Sequence, residues 1–149
     1  MMPETVWLKD AAATESLGAR VGQTLKTGDI IYLTGDLGAG KSCLARGLIR
    51  TRTSSDQDVP SPTFTLVQTY EAEGVDIAHF DLYRLTDPEE VHEIGLFELA
   101  EDHACLIEWP QRLGHLSFED YLEIRLEAGQ DEHGHQGRIA TLTPHGHYR

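Results

Sequence analysis

Apolar positions recur along the chain with two spacings, one helical and one alternating, and Gly, Pro and Asp cut them into short segments. Leu17, Val21 and Leu25 fall at i, i+4 and i+8 and predict one face of a helix. Asp10 suits the N-cap of that helix ahead of Ala11, Ala12 and Ala13, and Gly28 is expected to stop it in the C′ position. Asp29 to Thr34 is short, apolar and β-branched and predicts a buried strand. Gly35 to Gly40 is a glycine-rich turn, after which Leu44, Leu48 and Ile49 carry helical spacing over Lys41 to Thr51.

Arg52 to Pro62 has the composition of a loop. Phe64 to Tyr70 and Val75 to Phe80 predict two strands joined at Glu73-Gly74. Asp87-Pro88-Glu89-Glu90 is a helix start, with Asp as cap, Pro at the first position and Glu closing a capping box. Cys105-Leu106-Ile107 is a second apolar run that stops at Glu108, and Tyr121 to Leu126 with Arg138 to Leu142 predict a late hairpin. No repeat or domain-boundary linker interrupts this order. The expected class is α/β: a mixed, partly parallel sheet flanked by helices, with an antiparallel hairpin near the C-terminus.

Length and charge narrow the function. The 149 residues suit a single domain. Such a chain can bury roughly 68–70% of its unfolded surface. Twelve Lys and Arg against 25 Asp and Glu give a formal charge of −13, a field that repels a nucleic-acid backbone and argues against stable tRNA binding by the chain alone. No apolar stretch approaches the ~20 residues that cross a bilayer. The first residues, with Glu4, Lys9 and Asp10, lack an export signal, and two cysteines, Cys43 and Cys105, make no disulfide framework. A cytoplasmic protein is expected.

The chemistry centres on Gly35-Asp36-Leu37-Gly38-Ala39-Gly40-Lys41-Ser42, an intact G-x-x-x-x-G-K-[ST] between a predicted strand and a predicted helix. The glycines let backbone N–H groups curl round a phosphate, and the helix start adds its unpaired N–H groups and positive dipole end. Lys41 brings a point charge to the β- and γ-phosphates, and the Ser42 hydroxyl suits Mg²⁺. A carboxylate is needed on the metal side. Glu108 closes the unbroken apolar run and is the better metal partner by periodicity, while Asp81 would orient a water or sense the γ-phosphate. Spacing leaves the division of labour between the two acids open.

With Ser61-Pro62-Thr63-Phe64-Thr65-Leu66-Val67, His79-Phe80-Asp81-Leu82-Tyr83-Arg84-Leu85, Asp87-Pro88-Glu89-Glu90, Gly95-Leu96 and Leu106-Ile107-Glu108-Trp109-Pro110 added in that order, nearly the whole chain resembles the TsaE (YjeE) family. These are the small ATPases of bacterial tRNA threonylcarbamoyladenosine modification. The resemblance implies a P-loop NTPase-like fold that binds ATP, with Mg²⁺ held by Ser42 and Glu108. It implies that Lys41, Asp81 and Glu108 serve turnover and that Thr63 lies in a loop responsive to nucleotide. It also implies further nucleotide contacts near Asp10 and Arg138, and it implies a TsaB–TsaD pair as partner. That pair transfers threonylcarbamoyl to adenosine 37 of tRNA, and ATP hydrolysis would reset it between turnovers. Ser42 stands for the family's usual Thr, and Phe64 for a frequent Tyr.

Several residues keep two readings at this point. Trp109 is either a packing aromatic or a residue near the nucleotide or the partner surface. Cys43, next to Ser42, should turn into the core. His133, His135, His145 and His147 read as loop residues more readily than as a metal tract. His79 and Asp81 alternate onto one strand face, where the imidazole could bond the carboxylate. Arg84 could stabilise phosphate charge or form a surface ion pair. A small-molecule kinase, a GTPase and a nucleotide-gated binding module without catalysis compete with the ATPase. No Arg-rich insertion supports the first, and no Asn/Thr-Lys-x-Asp segment supports the second.

Overall fold

The computed structural model describes residues 3–36 and 38–149. Its strands are β1 (Glu4–Leu8), β2 (Ile30–Thr34), β3 (Val67–Tyr70), β4 (Asp76–Asp81), β5 (His103–Glu108), β6 (Tyr121–Gln130) and β7 (Gln136–His145). Three α-helices, α1 (Ala11–Gln23), α2 (Lys41–Arg52) and α3 (Leu96–Asp102), and two 3₁₀ segments, Pro88–His92 and Pro110–Leu116, complete the order. All seven strands join one sheet in the order β1-β7-β6-β2-β5-β4-β3. β2 pairs in parallel with both β5 and β6, β4 pairs in parallel with β5, and the outer pairings are antiparallel. The expected mixed α/β class is the one found.

Alternation along the strands feeds two cores. Ile31, Leu33, Ile77, Leu106, Leu122 and Ile124 face α1 and α2, whereas Tyr32, Phe80 and Ile107 face α3 and the 3₁₀ segments. Helices α1 and α2 meet backbone to backbone at Gly18 and Gly47, where the lack of Cβ atoms lets them approach. His79, Asp81 and Glu108 lie on the α2 side by the same alternation, at the carboxyl ends of β4 and β5. In open α/β sheets ligands bind at that edge.

Several boundaries differ from expectation. Asp10 does cap α1, accepting the Ala13 N–H at 2.8 Å. The helix stops at Gln23, however, because Thr24 turns its own N–H and hydroxyl back onto Val21. Gly28, at φ +91°, instead makes the turn into β2 and donates to His103 O at 3.0 Å, which ties the starts of β2 and β5. Phe64 to Leu66 belongs to a turn and not to β3, closed by Leu66 N–H on Pro62 O at 2.6 Å. The Asp87 capping box forms as read but opens a 3₁₀ segment. The hairpin arms run further than their apolar positions, to Gln130 and from Gln136, because paired backbone continues through polar residues.

Candidate nucleotide site

The site begins with the loop between β2 and α2. Gly35, Gly38 and Gly40 have φ values of +136°, +81° and +102°, a region L side chains rarely adopt. A Cβ on Gly35 would stand 2.5 Å from Leu126 O, and one on Gly40 would stand 2.9 Å from Arg138 Nε. At Gly35 the β6 backbone leaves no room for a Cβ, whereas at Gly40 it is the positive φ that asks for glycine. Gly40 is the N-cap of α2 and has no side chain to satisfy the first amides of the helix. These amides and the helix dipole make an anion site. Leu37 lies outside the described residues.

Lys41 is buried, and its Nζ donates to Gly35 O at 2.6 Å while lying 4.0 Å from the centre of the Trp109 ring. Burial lowers its pKa below the ordinary lysine value, and the charges of Glu108, Asp81 and Asp36 work in the opposite direction. The ammonium is thus parked on a carbonyl and an indole face, both weak competitors for a phosphate.

Asp81 and Glu108 are cross-strand partners on β4 and β5, both about 95% buried. Asp81 Oδ2 accepts the Thr63 hydroxyl at 2.9 Å and Oδ1 accepts the Tyr83 N–H at 3.0 Å. Since Thr63 donates to Asp81, Ser61 Oγ donates to Thr63 Oγ1, 2.7 Å away. Asp81 N–H holds Leu66 O at 3.0 Å, which fastens the Ser61–Leu66 turn to the end of β4. Glu108 has a different partner: its Oε2 accepts His79 Nε2 at 2.7 Å. The bond to Asp81 that strand alternation allows for His79 is not the one made. The two do share a face, but the ring reaches diagonally across to β5 instead.

A cleft of about 320 Å³ gathers Gly38, Gly40, Lys41, Ser42, Thr63, Asp81, Glu108, Trp109 and Arg138. Nine of the residues singled out from the sequence thus meet in one place. Asp10, Asp36 and Ala39 do not line it. Asp10 spends its side chain on α1 and borders a neighbouring hollow of about 350 Å³, with Ala39 and Arg138 on its wall. Asp36 is exposed and borders another, of about 530 Å³, beyond Trp109.

Cys43 and Arg46 also line the cleft. Cys43 had been expected in the core, but its thiol is half-exposed and donates to Ala11 O at 3.3 Å. Desolvation raises its pKa. Arg46 was missed; its spacing of four from Ser42 on a helix was the available signal. Arg84 takes neither expected role and lies 4.3 Å over the Phe64 ring. Asp131 accepts the backbone N–H groups of His133 and His135, as a loop would require. Among the described residues, no group of three or more His, Cys, Asp or Glu side chains could hold a metal ion on its own.

The donor set suits a magnesium–nucleotide. Uncapped amides and an ammonium match phosphate oxygens, a hydroxyl and a carboxylate match a hard cation, and open space surrounds Gly38 at φ +81°.

Fold and site together define a P-loop type α/β protein. The solved structure of Bacillus subtilus YdiB superimposes with a TM-score of 0.76 over 97% of this chain and 86% of that one, at 23% identity. The family model described as threonylcarbamoyl adenosine biosynthesis protein TsaE matches residues 8–138, and the chain belongs to that family. The protein named tRNA threonylcarbamoyladenosine biosynthesis protein TsaE in Rickettsia conorii is 41% identical over 121 residues, covering 81% of this chain and 69% of that protein. Those of the same name in Rickettsia bellii and Nostoc sp. are 36% identical over 132 residues and 37% identical over 144. The alignments cover 89% of this chain and 92% of the Rickettsia protein, and 93% and 85% for Nostoc.

Proposed function

We propose that this chain is the ATP-binding and ATP-hydrolysing component of tRNA N6-threonylcarbamoyladenosine (t6A37) modification, a single cytoplasmic domain that acts on a TsaB–TsaD pair to sustain repeated turnover. Family membership supports the pathway. One observation carries the chemistry: Lys41, Ser42, Asp81 and Glu108 converge on one cleft at the start of α2. In this reading the loop amides and Lys41 hold the phosphates, and Ser42 and Glu108 hold Mg²⁺. When bound, the metal neutralises charge on the triphosphate and orients it.

Asp81 is the residue placed to orient a water, but Thr63 and the Tyr83 amide each engage one of its oxygens. Each oxygen can still accept a further bond, and the Ser61–Leu66 turn fastened to Asp81 governs a water's access to it. That arrangement supports slow hydrolysis by the isolated chain and acceleration when a partner reshapes the turn. The charge of −13 favours a protein partner over tRNA gripped directly.

The test is steady-state ATP turnover by the chain alone and with the TsaB–TsaD pair. A clear rise with the pair is expected, and equal rates refute partner dependence. Nucleotide-dependent binding to the pair with no turnover in either case would leave the non-catalytic gate as the function.

A further inference from the structure

The His79–Glu108 contact lies at the carboxylate that the metal reading needs most. Both side chains are almost fully enclosed, at 1% and 4% exposure, and the bond between them is 2.7 Å. The β4/β5 register sets His79 opposite Leu106, so Glu108 lies two residues further along on the same face. The imidazole therefore reaches the carboxylate from two residues back along the strands, while Glu108 also lines the cleft. Asp81 has other partners: its two oxygens accept the Thr63 hydroxyl and the Tyr83 N–H.

The other ring nitrogen, Nδ1, is buried and has no hydrogen-bond partner among the described residues. A ring present only to fill the core would be better replaced by an apolar side chain, because an unpaired buried nitrogen costs free energy. What distinguishes His at this position is its single bond to Glu108.

We propose that His79 is a positioning residue for the metal-side carboxylate: Nε2–H fixes Oε2 of Glu108 and leaves the second oxygen for the cation in the cleft. Partners of this kind orient metal ligands and raise metal affinity without touching the metal. The proposal rests on the nucleotide and Mg²⁺ reading above. It makes His79 specific to the metal's contribution, with no part in holding the phosphates themselves.

The experiment compares the full chain with His79→Leu, which fills the space without a donor, and His79→Gln, which keeps an N–H within reach. ADP binding is followed calorimetrically at fixed ADP while Mg²⁺ is titrated, and again in EDTA. In His79→Leu the Mg²⁺ concentration for half-maximal binding should rise about 10–100-fold, with affinity in EDTA unchanged. His79→Gln should recover most of the loss. In a Glu108→Gln background, His79→Leu should add nothing further. Circular dichroism checks folding, and His79→Asn, whose amide stops short of Oε2, gives the same comparison if the leucine variant does not fold.

An unchanged Mg²⁺ midpoint in a folded His79→Leu chain overturns the proposal, as does an undiminished effect in the Glu108→Gln background. Wild-type chain that binds ADP without any dependence on Mg²⁺ overturns the metal reading itself, a different failure seen before any variant is made.

Discussion

Gly47→Ala is a perturbation whose sign the structure reverses. In an ordinary helix interior, Gly to Ala stabilises by about 1 kcal/mol, because alanine loses less backbone entropy. Gly47, however, sits at the middle of α2 where it touches α1. A Cβ there would stand 2.8 Å from the carbonyl carbon of Glu15 and 2.9 Å from its Cα, with the carbonyl oxygen nearer still. Ordinary contact starts at 3.4 Å, so the helices must part by at least 0.6 Å against backbone that cannot rotate away. Overpacking of this kind costs typically 1–3 kcal/mol, and more when only backbone can yield. With only backbone to yield, the cost falls in the upper part of that range, about 2–3 kcal/mol, and set against the gain of about 1 kcal/mol it leaves a net destabilisation of about 1–2 kcal/mol. For a chain of this length that lowers the melting temperature by roughly 2–8 °C. Because α2 begins with Lys41, the same movement should weaken nucleotide binding. Thermal unfolding by circular dichroism, with and without ADP and Mg²⁺, checks both. A melting temperature equal to or above wild type would refute the packing argument.

Three other perturbations act on separate parts of the molecule. Asp81→Ala should leave ATP affinity near wild type and cut turnover with the TsaB–TsaD pair by about 10²-fold or more, the usual range for such groups being about 10²–10⁴-fold; unimpaired hydrolysis would remove Asp81 from the reaction. Asp10→Ala should lose the α1 cap and about 1 kcal/mol of stability, read as a lower urea midpoint at constant slope, while sparing ATP binding at the Lys41 cleft. Cys105, fully buried with its thiol pushed up to about 12, should resist a thiol reagent in the native state, whereas half-exposed Cys43 should react and be protected by ATP; protection absent at saturating ATP would mean that the cleft containing Cys43 is not where nucleotide binds.

What could be read from the chain and what could not divides along one line. Strand β2, helix α2 and the loop between them follow from local rules: apolar β-branched residues, three glycines that need positive φ, and a helical stripe of Leu44, Leu48 and Ile49. Asp81 and Glu108 were visible as acids ending apolar strands. Their difference in partners was not visible. It depends on β4 lying parallel to β5 in a register that puts Glu108 two residues beyond the partner of His79. Strand β1 was missed because Glu4–Leu8 is an edge strand with a weak alternation, carrying Trp7 partly exposed. Helix α3 was missed because seven residues give barely two turns, too few for a periodic signal. Phe64 looked like strand by composition, yet the turn there is drawn in by Thr63 binding Asp81, a contact eighteen residues apart in sequence. At Phe64, local strand preference lost to a long-range hydrogen bond.

Nucleotide binding at this loop requires that a triphosphate take the Lys41 ammonium away from Gly35 O and the Trp109 ring. Calorimetric titration of ATP with Mg²⁺ into the intact chain and into Lys41→Ala addresses that directly. One site per chain in the wild type, with binding lost in the variant, is the expected result. Equal affinities in the two proteins, or no heat from the wild type at saturating ATP, would contradict it.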